Sequence, residues 1–156
     1  DFIMVAAMNP PQWSAGSAKH IQRRISAPLL DRIDLTIDVQ PVPIEDLQRA
    51  PQKNIETSAQ ILERVLQARR VQAQRFSGLA IATNKEMGVK HIDELCPLSK
   101  EATTLLSRAA TQMDLSVRSY HRIIKVARTI ADLAGNKNIE TSHIAEALQY
   151  RQNIGV

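Results

Sequence analysis

Between Ser116 and Leu133 the apolar residues Val117, Tyr120, Ile123, Ile124, Ala127 and Ile130 recur at helical spacing, and Gly135 follows where such a helix has to stop. No other stretch constrains the fold as much. The residues lay a continuous apolar stripe along one side of a helix of about five turns, and burying that stripe requires helical neighbours. The flanking sequence supplies them. Residues 99–112 and 141–151 carry the same periodicity. "TSAQILERVLQARRVQAQRF" sets Ile61, Leu62, Val65 and Leu66 on one side of a long helix, with Thr57 or Ser58 as N-cap. "SGLAIATNKEMGVKH", with two glycines, interrupts the helical pattern before the last three segments. The carboxy-terminal third is expected to be a small helical bundle, and the chain as a whole mainly α.

The amino-terminal part reads differently. "FIMVAA", bounded by "NPP", and "IDLTIDV" (33–39), which alternates apolar and polar until Pro41 and Pro43, both read as strands. Between them "PPQWSAGSAKHIQRRISAPLLDR" is too rich in Pro, Gly and Ser for a long regular element, and reads as a loop with a short helical turn near Pro28. A linker through Pro51 leads to the long helix. The chain opens on Asp1 and enters an apolar run within one residue, so it is expected to be a piece of a longer protein. There is no internal repeat and no low-complexity segment.

Composition excludes several classes. The 156 residues are 44% apolar, enough to fill a core. No run approaches the roughly 18 apolar residues of a membrane span, and no charged-then-apolar leader opens the chain, so the cytoplasm is the expected compartment. The single cysteine, Cys96, forms no internal disulfide and has no second cysteine at metal-ligand spacing; it reads as a small buried hydrophobe. An aromatic content of 3% is too low for a platform that stacks single-stranded bases. Twenty Lys and Arg against sixteen Asp and Glu leave a net charge of +4, but the charges are interspersed and select no partner.

A search for chemistry finds no complete active site. None of the five glycines opens a GxxxxGK[ST] phosphate-binding loop. Asp93 and Glu94 follow Lys90 and His91 in "VKHIDELC" and read as a helix start rather than a magnesium-binding acidic pair. His20, His91, His121 and His143 are scattered singly, which suits surface or core roles rather than a zinc site. Neither Cys96 nor any Ser sits in a nucleophile elbow. Three residues stand out: Asn9 at the end of the first apolar run, Arg32 in "LLDRIDL" and Arg118 in "LSVRSYHRI". Singly they have ordinary readings, as a turn starter before Pro, an ion-pair partner between Asp31 and Asp34, and a polar-face helix residue.

Taken together, "FIMVAAMNP", "ISAPLLDRIDLTIDV", "SVRSYHRIIKVARTIADLAG" and "HIAEALQYR", in that order, closely resemble the second half of the magnesium chelatase-like AAA+ ATPases of the ComM/YifB type. The resemblance covers nearly the whole chain. It implies that residues 1–40 are the end of an α/β AAA+ core, 41–90 a connecting segment with a long helix, and 91–156 an all-α lid. In that family the Asn ending the fourth core strand is sensor 1, which orients the attacking water, and it falls on Asn9. Ligands of open α/β sheets bind at such strand ends. The Arg of "LLDRID" matches the arginine finger, which reaches a neighbouring subunit's γ-phosphate, and falls on Arg32. The Arg of the lid's Ser-x-Arg motif, sensor 2, falls on Arg118. An amide positions water, and a guanidinium stays cationic while offering several donors to phosphate oxygens. The sequence departs from the family at "PPQWSAGSAKHIQRR", which holds no cysteine where these ATPases usually carry a cysteine-rich insertion, so no metal role is carried over.

The resemblance implies ATP with magnesium as ligands, a hexamer in the full-length protein, and ATP-driven remodelling of a macromolecule, DNA before any other. The half with the phosphate-binding loop and the magnesium-binding motif is not in this sequence, so the chain alone is expected to be inactive. One rival is a non-enzymatic DNA-binding helical module, with Arg118, Arg122, Lys125 and Arg128 along a polar flank that Asp132 continues. The other is an oligomerisation or adaptor module.

Overall fold

The computed structural model of the chain describes residues 3–7, 29, 32–44 and 56–151. They belong to two compact units, one drawn from Asp1–Asp34 and Asn153–Val156, the other spanning Leu35–Gln152. Among the described residues of the second unit five helices follow in order: α1 (Ser58–Arg75), α2 (Val89–Leu95), α3 (Lys100–Gln112), α4 (Val117–Leu133) and α5 (Thr141–Gln149), with a 3-10 turn at Asn84–Glu86 between α1 and α2. The described part is mainly α, as the periodicity predicts. Among the described residues no strand forms. Residues 3–7 and 33–39, read as strands, lie in no ladder, and Ile3, Val5, Ile37 and Val39 are exposed. Alternation marks a segment that fits a sheet, but a strand exists only where a partner supplies the hydrogen bonds.

Side chains and backbone turns fix the helix ends. Thr57 caps α1 through a reciprocal pair with Gln60. Ser99 and Ser116 accept the backbone N–H groups of Ala102 and Ser119 at the starts of α3 and α4. At two other starts a histidine ring does this work: the Gly88 N–H donates to His91 Nδ1 at 3.2 Å, and the Glu140 N–H to His143 Nδ1 at 3.0 Å. The helix start read in "VKHIDELC" is a seven-residue helix, α2, which begins within the last residues of the interrupted stretch. It is two turns long and starts at a glycine with no capping side chain.

The end of α4 turns through paired bonds from Gly135 and Asn136. Asn136 N–H reaches Ala131 O and Gly135 N–H reaches Asp132 O, with Gly135 at φ 74°. At the end of α3 the same left-handed position is filled by Asp114, at φ 45°, with Leu115 N–H on Ala110 O.

The α4 stripe is the spine of the core. Ile123, Ile124, Ala127 and Ala131 pack with Leu106 of α3, Ile144 and Ala147 of α5, Ile92 of α2 and the linking residues Phe76, Met87 and Ile139. Leu98 and Ile139 form a single parallel bridge between the α2–α3 and α4–α5 connections. Cys96 is buried beside Met87, as expected for a small hydrophobe, and burial pushes its thiol up to about 11. The α1 stripe behaves otherwise. Ile61, Leu62, Val65 and Leu66 are 42%, 57%, 39% and 48% exposed, and the face of α1 that packs carries Ala68 and Gln72 instead.

Because an L-residue at positive φ is strained where glycine is not, Asp114→Gly is expected to stabilise the chain by about 0.5–1 kcal/mol, and Asp114→Val to destabilise it by about 1 kcal/mol or more. Urea unfolding followed by circular dichroism checks both signs.

Candidate functional site

Arg118 is the second residue of α4, in the first turn behind the Ser116 cap, and its side chain is exposed. That turn carries no acidic residue. A cation there stands against the helix macrodipole, whose positive end is the amino terminus, so the arrangement is mildly unfavourable by itself and becomes favourable when an anion is present. Ser116 Oγ meets Ser119 Oγ at 2.9 Å; Ser119 is buried, and Arg118 lies on the exposed side of the turn. Arg32 lies in the other unit, where its N–H closes a turn on Leu29 O at 2.9 Å; its side chain is exposed. Asn9 lies outside the described residues.

The polar flank proposed for α4 does not exist as a flank. Arg128 is 1% exposed and the Asp132 side chain is fully buried. Lys125 Nζ donates to Lys85 O at 2.9 Å. The correction has a physical cause: an i,i+4 Arg–Asp pair looks like a solvated face in sequence, but here it borders Ala127 and Ala131 and is covered by another element.

That cover is the end of α1. Arg75 grips Asp132 with both terminal nitrogens, Nη1 at 2.8 Å from Oδ2 and Nη2 on Oδ1. Arg128 Nε donates to Oδ1 at 3.0 Å, and its Nη1 and Nη2 donate to Lys137 O and Asn136 O at 2.7 and 2.6 Å. Asn84 of the 3-10 turn donates through Nδ2 to Asp132 Oδ2 at 2.9 Å and to Thr129 Oγ1 at 3.0 Å, while its Oδ1 accepts from Arg75 at 3.0 Å. One carboxylate thus joins α1, the turn, α4 and the α4–α5 connection. Burial alone would push the Asp132 carboxyl up, but the hydrogen bonds from Arg75 and Asn84 and the charges of both arginines outweigh it and hold the carboxyl below its usual range. The hydrogen bond to Asp132 raises Arg75, whereas burial pulls Arg128 down. Sequence reading missed this junction, because Arg75 and Asp132 are 57 residues apart. The available signal was the Arg128–Asp132 spacing beside two alanines.

Removing the buried carboxylate charge leaves two guanidiniums facing each other. Asp132→Asn is expected to cost about 3 kcal/mol or more near neutral pH. Because the folded pKa lies below the unfolded value of about 3.9, the contribution of Asp132 is present above that pH and is lost as pH falls through the folded pKa. The gap between wild type and Asp132→Asn should therefore be constant from pH 5 to 7 (roughly the range where every carboxylate is ionised) and narrow in more acidic buffer. Denaturant unfolding across that range is the check.

Among the described residues no group of three His, Cys, Asp or Glu is placed to hold a metal ion, and no helix is long and apolar enough to cross a membrane. His91 and His143 serve as caps, and the His121 ring meets Tyr120 edge-on at 5.8 Å.

Comparison with known proteins places these features. Residues 55–151, which include all five helices, match the family described as magnesium chelatase, subunit ChlI C-terminal. The chain is 41% identical over 160 residues to Competence protein ComM of Haemophilus influenzae, covering 96% of this chain and 30% of that protein. It is 32% identical to YifB of Escherichia coli and 31% identical to YifB of Salmonella typhimurium, each over 96% of this chain and 31% of the relative. The chain thus spans about a third of the length of the relatives it matches. With more than half of its residues in the family's C-terminal domain, the chain belongs to the magnesium chelatase-like family of the ComM/YifB type.

Proposed function

We propose that this chain is the carboxy-terminal part of an AAA+ ATPase that couples ATP hydrolysis between the subunits of a cytoplasmic hexamer to remodelling of a macromolecule, DNA being the substrate the family resemblance favours. The observation that carries this reading is Arg118: an exposed guanidinium in the first turn of a 17-residue helix with no acid beside it, where a phosphate would be bound by both the side chain and the helix end. In this reading Arg118 is sensor 2, Arg32 is the arginine finger directed at a neighbouring subunit's nucleotide, and Asn9 is sensor 1. Both arginines offer donors suited to phosphate oxygens. Among the described residues no carboxylate cluster offers magnesium a ligand set; in this reading the ion would enter as the partner of ATP. When bound, ATP would supply the phosphoryl group and magnesium would neutralise its charge, while the chain's own residues orient and stabilise.

The non-enzymatic DNA-binding alternative loses its main support, since Arg128 is turned into the core.

The isolated chain is expected to hydrolyse no ATP, and turnover by a contaminant-free sample would overturn the division of labour proposed. In the full-length protein Arg32→Ala should lower the turnover number by about 10³-fold while nucleotide affinity changes little, as for a group acting in the transition state. Steady-state kinetics beside nucleotide titration separates the two.

Arg118→Ala should weaken ATP-dependent assembly or hydrolysis while changing the bundle's stability by less than about 0.5 kcal/mol, since the side chain is exposed. Ile123→Asp, which buries an unpaired charge in the α4 spine, should unfold the bundle. Equal destabilisation by the two would make Arg118 a structural residue.

A further inference from the structure

The junction around Asp132 contains more positive charge than it needs. Arg128 and Asp132 already form a neutral, fully buried pair within α4, and Arg128 is completed by the carbonyls of Asn136 and Lys137. Arg75 is a second guanidinium on the same carboxylate. A surplus buried charge is poor evidence for stability, because desolvation offsets much of the Coulombic gain. What it adds is direction. Two parallel bonds from the Arg75 fork to Asp132, and a third to Asn84, fix the orientation of the end of α1 in a way that apolar contact does not.

The rest of the α1 contact runs along α4 and buries few side chains. Its buried residues are Ala68 and Gln72, with Phe76 just beyond its end; Gln72 brings a buried side-chain oxygen without a partner. All its large apolar side chains, Ile61, Leu62, Val65, Leu66 and Val71, are at least 39% exposed. A small-residue contact holds two helices close but leaves sliding and rotation weakly opposed. The first half of α1 thus extends as an arm from an anchor at its far end.

We propose that Arg75 is an orientation lock, which makes α1 and the α2–α5 bundle turn as one rigid body through the Arg75–Asp132–Asn84 junction. The lock is independent of the nucleotide reading of Arg118. Its logic is mechanical: a displacement of the arm is carried through Asp132 to α4 and, through Arg128, to the connection that starts α5.

The test uses this chain with spin labels on Glu63→Cys and Ser142→Cys, both exposed positions, on α1 and α5. Cys96 is buried with its thiol held near 11 and does not compete for the label. Pulsed dipolar spectroscopy should give one narrow distance distribution. Arg75→Met leaves the Arg128–Asp132 pair intact, so circular dichroism should show the bundle folded, while the distribution broadens by about twofold or more or splits. Arg75→Gln, which keeps one donor for Asp132, should fall between the two. A folded Arg75→Met chain with a distribution as narrow as wild type overturns the proposal, since apolar contact alone would then fix the arm. Melting of the bundle in both variants overturns it as well, because the junction would then hold the bundle together rather than aim α1.

Discussion

The carboxylate of Asp132 is the interaction on which the helical unit depends. It is fully buried, which disfavours its charge, and it accepts from Arg75, Arg128 and Asn84, which restores it. Four pieces of chain meet on this one group: the end of α1, the 3-10 turn, the last turn of α4 and, through Arg128, the connection to α5. An apolar side chain in its place could fill the volume but could not specify which atoms face which. Hydrogen-bond direction, rather than burial, decides how these pieces are joined.

Around this polar centre the apolar core has a simple plan. The α4 stripe lies in the middle, α2 and α5 pack against it with Ile92 and Ile144 in the core, and α3 packs on α5 with Leu106 in the same core. The connections are short and their ends are fixed locally, by serine caps, by histidine rings that accept backbone N–H groups, and by left-handed residues at Asp114 and Gly135. Arg128 ties this local chemistry to the core. The carbonyls of Asn136 and Lys137 that it binds lie just past the helix-terminating turn of Gly135, so the same few residues stop α4, orient Asp132 and set the path toward α5.

α4 also separates two tasks along its length. Its first turn presents Arg118 outward, and its last turn holds the junction. Asp132 follows Arg118 by fourteen positions, or about 21 Å of helix. The stripe buried along that length makes the helix a stiff element, so an anion engaging the first turn and an arm anchored at the last act on one body.

Much of the bundle is legible in the sequence. The spacing of Val117, Tyr120, Ile123, Ile124, Ala127 and Ile130 determines α4, Gly135 its end, Thr57 the start of α1, and the exposed place of Arg118 on the first turn of α4 follows from the same register. These are local matters: periodicity and capping act within one or two helical turns. Other features depend on contacts between distant segments. α2 shows in the sequence only as the helix start read in "VKHIDELC", because a ring, His91, replaces the usual cap. The apolar side of α1 reads as a packing face, yet Ala68 and Gln72 do the packing. Arg128 and Asp132 read as a solvated pair until Arg75, half the unit away in sequence, closes over them. The sequence by itself determined where helices form, because each helix is encoded by its own residues. Only the tertiary structure decided which faces are buried and which charges meet, because burial and pairing belong to the partner as much as to the residue.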